Sequence, residues 1–314
     1  MTTVTQAMHI FVTSLELSES KRQAAQDQWK ALDDNLKREL TVRQSFLSGS
    51  YGRHTAIAPL NDIDLFLVLE PTKYPKLIDD SPTTALTLVK DAMTRKYPTA
   101  KPAILQNRSV HIEFSGTGIA YDVVPALPDE EKEETYWIPD RDTSRWITTN
   151  PRIHSEKSTE ANKRAGDMAK PLVKVLKHWK NVTSIDIRSF HLEWMVYDAL
   201  ASKPASYLSG LVTIFQHLKD RVLSSFPDPA GHGSNIDNNL TDNRRHDLSM
   251  KFAQAESDLS SARQRAEDGK TEDAHYFLRQ MFGAEYPEKG TAPKSNAGSV
   301  VSAVSVDNPR NRFG

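Results

Sequence analysis

From Ser18 to Leu40 the apolar residues Ala24, Ala25, Trp29, Leu32, Leu36 and Leu40 recur at steps of three and four among charged neighbours. That spacing predicts a long amphipathic helix, a spine across which a domain can pack. The period then changes. Ile63 to Leu69 is a nearly continuous apolar run bounded by Pro59 and Pro71, the pattern of a buried strand. Residues 82–97 read as a helix that ends before Pro98. Ser109 to Phe114 alternates, Gly116-Thr117-Gly118 turns the chain, and Ile119 to Val124 returns as a second strand, which together predict a hairpin. Beyond Pro125 an acidic polar loop at 129–134 leads into helical patterns at 155–181, 188–202, 206–225, 240–268 and 271–283. The expected architecture is α+β: a lobe of mixed sheet and helices with its spine helix over 1–150, and a helical lobe over 151–286. Residues 287–314, rich in Ser, Ala, Gly, Asn and Pro, hold too little apolar surface to fold alone and are expected to form a flexible tail.

Composition removes several classes of function. The 314 residues carry 40 Lys and Arg against 41 Asp and Glu, a formal charge of −1. This balance argues against a broad basic surface for duplex nucleic acid and leaves room for a local basic pocket that takes a small phosphorylated ligand. No apolar stretch approaches the roughly 20 residues that span a bilayer, and the opening segment lacks the basic start of a signal peptide. A cytoplasmic protein is expected. With no cysteine there is no disulfide, no Cys-ligated zinc and no thiol nucleophile.

The candidate chemistry lies in three places. Asp62 and Asp64, two apart on a strand, project from the same face. Asp122 stands in the second strand of the hairpin with Ala120 and Val124 as its same-face neighbours. Like charges placed side by side in apolar surroundings call for a cation between them. Oxygen ligands of this kind select Mg²⁺ or Mn²⁺, so three acids converging on one edge read as a site for two metal ions. Gly49-Ser50, between a strand and a helix, supplies the complement. A glycine lets the backbone approach a phosphate, and the amides of the following turn with the Ser50 hydroxyl can hold triphosphate oxygens.

Gly49-Ser50, eleven intervening residues, Asp62-x-Asp64 and then Asp122-Val-Val-Pro resemble the polymerase-beta-like nucleotidyltransferase superfamily. Further runs narrow the resemblance: Asn150-Pro151-Arg152-Ile153-His154, Leu176-Lys177-His178-Trp179, Ser189-Phe-His-Leu-Glu193, and Asp228-Pro-Ala followed by Asn238-Asn239. Over most of residues 30–285 the chain is similar to the bacterial cGAS/DncV-like nucleotidyltransferases, the CD-NTases. This resemblance implies a Mg²⁺-dependent synthase that joins nucleoside triphosphates, ATP among them, into a cyclic di- or trinucleotide. The setting it implies is an anti-phage (CBASS) operon in which the product activates a separate effector.

Carried over residue by residue, the resemblance gives Asp62 and Asp64 to both metal ions. Asp122 goes to the acceptor-side ion and to deprotonation of the attacking hydroxyl. Gly49 and Ser50 hold the donor triphosphate, Lys177 and Ser189 contact its phosphates from the helical lobe, and Arg53 and Thr55 are further phosphate contacts. Metazoan relatives sense DNA through a zinc insertion built from His and Cys, which a chain without Cys is expected to lack. The implied partners are an operon-encoded regulator and a ubiquitin-transfer-like ligase, for which Gly314 is a candidate conjugation terminus.

Plainer readings stand beside these. Lys177 shares a helix with Val173, Leu176 and Trp179, and its plainer reading is a solvent-facing lysine. Ser189 reads as a helix N-cap, Glu193 as a structural hydrogen-bonding residue within its helix, and Gly314 as an ordinary chain end. A template-independent transferase acting on RNA ends or on a protein hydroxyl would use the same three acids.

Overall fold

The computed structural model describes residues 2–60, 62–97 and 102–291. The N-terminal half runs α1 (Val4–Ser14), α2 (Glu19–Glu39), β1 (Val42–Leu47), α3 (Gly49–Gly52), β2 (Asp62–Leu69), α4 (Pro82–Lys96), β3 (Ile104–Leu105), β4 (Val110–Phe114), β5 (Ile119–Pro128), β6 (Tyr136–Asp140) and β7 (Arg145–Thr149). The sheet order is β1-β2-β5-β4-β3, with β2 and β5 parallel and the other neighbours antiparallel; β5 continues into a pairing with β6, and β6 with β7.

Alternation divides this sheet cleanly. Ile63, Leu65, Leu67 and Leu69 of β2 and Tyr121 and Val123 of β5 enter one core, closed by Leu32 and Leu36 of α2 and by Leu86 and Val89 of α4. The spine helix is therefore held by its apolar stripe, and it starts where the Ser18 hydroxyl accepts from the Lys21 amide. On the opposite face Phe66, Val68 and Ala126 pack against Tyr136 and Ile138 of the β6–β7 hairpin. Toward the start of β2 that same face carries Asp62 and Asp64.

The helical lobe comprises α5 (Pro151–Arg164), α6 (Ala169–Thr183), α7 (Ser189–Ala199), α8 (Tyr207–Arg221), α9 (Asp242–Glu267) and α10 (Thr271–Phe282). The single helix expected at 155–181 is two helices. Gly166 and Asp167 take φ of +59° and +63°, and this left-handed step breaks the helix between Arg164 and Ala169. α5 also starts earlier than expected, because Asn150 caps it by accepting from the Ile153 amide and Pro151 opens its first turn.

α1 does not pack with the sheet. Val4, Ala7, Met8, Phe11, Val12 and Leu15 are buried in the helical core, where the Phe11 ring meets those of His178, Phe282 and Tyr286. Residues 4–15 are thus an exception to a lobe boundary at 150. At the other end, residues expected to begin a tail at 287 are anchored: Glu288 accepts from the Thr2 hydroxyl, and the Thr291 amide bonds to the Glu272 carbonyl. Residues 292–314, and with them Gly314, lie outside the described residues. Among the described residues, no helix is long and apolar enough to cross a membrane.

Candidate active site

The parallel pairing of β2 with β5 sets Asp64 directly beside Asp122. In a parallel pair, partners in register share a face, so Asp62, Asp64 and Asp122 stand together. Carboxylate oxygens of Asp62 and Asp122 and a ring nitrogen of His111 all lie within 4.8 Å of one another. Asp64 sits deeper, with its carboxylate against the Gly49 backbone: a Cβ placed on Gly49 would stand 1.6 Å from Asp64 Oδ2. Gly49 has φ +59°, and the Ser48 amide bonds to the Asp64 carbonyl at 2.9 Å. The Gly49-Ser50 turn is thereby stitched to the strand that carries the acids. Glycine is required at 49 for its backbone conformation and for its missing side chain.

The carboxyls of Asp64 and Asp122 are both pushed up. Burial pushes the Asp64 carboxyl up to about 6, and the like charge of Asp122 adds to that shift; Arg53 opposes it. Burial likewise raises Asp122, against the hydrogen bond and charge of His111. Hard oxygen donors crowded in partial burial match the ligand preference of Mg²⁺ and Mn²⁺.

His111 stands beside these acids, and sequence reasoning passed over it. It lies on β4 directly opposite Asp122, and its Nδ1 is 2.8 Å from Asp122 Oδ1. Its signal was present in the hairpin: the pairing of Phe114 with Ile119 around the Gly116-Thr117-Gly118 turn places position 111 across from 122.

The expected phosphate contacts form a different arrangement. Arg53 is buried and bidentate on Glu193, with Nε donating to Oε1 at 2.8 Å and Nη2 to Oε2 at 3.3 Å. Thr55 is fully buried, and its hydroxyl donates to Glu193 Oε2 at 2.9 Å. These contacts turn the Arg53 Nε and Nη2 donors and the Thr55 hydroxyl toward Glu193 inside the protein. Lys177 shares the arrangement, with Nζ 3.1 Å from Glu193 Oε2 and 3.0 Å from both the Thr55 carbonyl and its hydroxyl. Tyr197 donates to Glu193 Oε1 at 3.2 Å. Burial alone would raise Glu193, but the charges of Arg53 and Lys177 outweigh it and hold the carboxyl well below its ordinary range. This hub ties the segment after the Gly49-Ser50 turn to α6 and α7, joining the two lobes.

Ser189 is the first residue of α7 rather than its N-cap, and its hydroxyl accepts from Lys180 at 3.0 Å. Beside it the Phe190 ring lies 5.0 Å from the Arg53 guanidinium, which sets the start of α7 next to the Gly49–Gly52 turn.

Comparison with known proteins gives this geometry a context. Residues 1–162 match the Second Messenger Oligonucleotide or Dinucleotide Synthetase domain. A cyclic AMP-AMP-AMP synthase of Acinetobacter sp. is 26% identical over 279 residues, covering 83% of this chain and 77% of the relative. An Escherichia coli CBASS oligonucleotide cyclase, CdnC, is 23% identical over 277 residues, covering 78% and 87%. Among solved structures, E. coli CdnC in complex with HORMA-deltaN superposes with a TM-score of 0.73 at 17% identity, covering 90% of this chain and 97% of CdnC. The family match covers more than half of the chain, from the spine helix through all three acids. The chain therefore belongs to the second messenger oligonucleotide or dinucleotide synthetase family, the bacterial CD-NTases, and is a nucleotidyltransferase of the kind that makes cyclic oligonucleotides.

Proposed function

We propose that this enzyme condenses nucleoside triphosphates, ATP among them, into a cyclic di- or trinucleotide in a Mg²⁺- or Mn²⁺-dependent reaction that serves anti-phage defence. The observation that carries this reading is the placement of Asp62, Asp64 and Asp122 on one face, with Gly49-Ser50 held against Asp64. Asp62, Asp64 and Asp122 would hold two metal ions. When bound, such ions lower the charge on the triphosphate and favour the ionised form of the attacking hydroxyl.

The chain's own groups supply position. Gly49 lets the backbone approach the donor triphosphate, the Ser50 hydroxyl donates to it, and Ser189 contacts it from the start of α7. Glu193, through Arg53 and Thr55, fixes the segment that follows the turn. Positioning and charge neutralisation of this kind account for most of the acceleration in phosphoryl-type transfers.

ATP use is supported by the name of the Acinetobacter relative, and a defence role by that of the E. coli CBASS cyclase. The CdnC complex with HORMA-deltaN supports a regulator protein as a partner. A two-lobed division near residue 150 and a cytoplasmic location belong to the same proposal. Incubation with Mg²⁺ and labelled ATP, GTP, CTP and UTP tests it. The expected result is a phosphatase-resistant cyclic product containing adenosine, seen by mass spectrometry; label appearing only in RNA or protein would replace it with the transferase reading.

A further inference from the structure

The three acids are not equally constrained. Asp62 is exposed at the start of β2, and Asp64 is pressed against Gly49. Asp122 is half-buried in mid-strand, and the group that meets its carboxylate is His111, directly across from it in the antiparallel ladder. An ionised carboxylate only accepts hydrogen bonds, so the 2.8 Å contact to Oδ1 assigns the ring proton to Nδ1. A cross-strand pair of this type is worth only about 0.2–1 kcal/mol to the sheet, so stability alone explains little of it. Its geometric effect is larger. Without a donor, the Asp carboxylate turns freely about its last side-chain bond. With His111 holding Oδ1, the plane is fixed and Oδ2 is left for another partner.

We propose that His111 is a positioning residue for the metal site: it holds Asp122 Oδ1 so that Oδ2 is presented to the acceptor-side ion. This inference rests on the reading of Asp62, Asp64 and Asp122 as metal-holding residues. It adds a residue from a strand that none of the site motifs includes. Hydrogen-bonding partners that orient a ligating carboxylate typically contribute about 10–100-fold in metal affinity or activity.

The test is Mn²⁺ binding to the full chain at pH 7.5 without nucleotide, read by electron paramagnetic resonance of free and bound ion. The variants are His111→Leu, His111→Asn and Asp62→Asn/Asp64→Asn, each checked for folding by thermal unfolding. Asn places an amide N–H near the position of Nδ1, whereas Leu fills the space without a donor. The proposal expects His111→Leu to weaken binding about 10–100-fold and His111→Asn to restore it to within about 3-fold of the wild type. With nucleotides added, His111→Leu should lower kcat while leaving KM for ATP nearly unchanged, because the donor triphosphate is held elsewhere.

Binding by a folded His111→Leu protein equal to the wild type overturns the proposal, as does His111→Asn behaving like His111→Leu. A ¹⁴N coupling in the wild-type spin-echo spectrum that disappears in His111→Leu also overturns it, since His111 would then be a ligand itself. If the Asp62→Asn/Asp64→Asn protein binds Mn²⁺ as well as the wild type, the metal-site reading itself has failed. If that variant loses binding and His111→Leu does not, only this inference has failed.

Discussion

Gly49 and Asp64 occupy each other's space: a Cβ added to the glycine would fall 1.6 Å from Asp64 Oδ2, and the glycine backbone has φ +59°. Gly49→Ala therefore meets two costs. The left-handed conformation costs an alanine about 1–2 kcal/mol, and relief of the overlap moves the turn or the carboxylate. Displacement of a reacting group by about 1 Å can cost on the order of 100-fold in rate. Gly49→Ala should lose at least that much product formation while its thermal unfolding remains cooperative. Wild-type turnover by Gly49→Ala would show that this contact does not position the acid.

Glu193 neutralises two buried cations, Arg53 and Lys177. Removing one partner of a buried ionic cluster strands the others, at a cost of about 3–5 kcal/mol. Urea unfolding of Glu193→Gln should show a loss in that range, because the amide keeps the shape but not the charge. A loss under about 1 kcal/mol would mean that solvent reaches and relieves the hub, contrary to its burial.

His191 of α7 is buried against Phe226, and both its ring nitrogens lack a partner among the described residues. Burial pushes its pKa down to about 4, with Asp237 opposing and Arg245, Arg221 and Arg188 reinforcing. Because the folded value lies below the unfolded one, unfolding takes up a proton between about pH 6.5 and pH 4. His191 therefore makes stability fall as the pH drops through that window, by up to about 1.4 kcal/mol per pH unit. Urea midpoints of the wild type and His191→Leu should diverge in that window, with the wild type losing more. Parallel curves would contradict the assignment.

At neutral pH the crowded carboxylates of the metal-free protein oppose folding, and a bound ion relieves them. A ligand at about a hundredfold excess over its Kd adds about 2.7 kcal/mol of stability. Mn²⁺ or Mg²⁺ should raise the melting temperature at pH 7, chelation should reverse the gain, and Asp64→Asn should largely abolish it. The gain should shrink near pH 5, where Asp64, pushed up to about 6, takes a proton. A metal-induced gain that survives Asp64→Asn would place the ion elsewhere.

The parts of this fold that sequence made visible are those governed by local period. The stripe Leu32, Leu36 and Leu40, the run Ile63–Leu69 and the turn at Gly116-Thr117-Gly118 each announce an element whose own residues decide it. Asp62 and Asp64 on one face follow from strand alternation alone. What was hidden depended on contacts far apart in the chain. The stretch Met8 to Val12 is too short to reveal that it caps a core built from residues 161–286. The resemblance carries Arg53 and Lys177 over as phosphate contacts and is silent on their partner within the fold: Glu193, 140 residues from Arg53, takes both. The break at Gly166-Asp167 was lost because the apolar period on its two sides stays nearly in phase.

The central claim is that Asp62, Asp64 and Asp122 form the metal-dependent centre of a cyclic oligonucleotide synthase. The most direct measurement is mass spectrometry of the phosphatase-resistant products made from four nucleoside triphosphates by wild-type protein and by Asp62→Asn/Asp64→Asn, each with Mg²⁺ and with chelator. The account predicts a cyclic product from the wild type with Mg²⁺ and none from the variant or after chelation. The same product from the variant, or from the wild type in chelator, would contradict it.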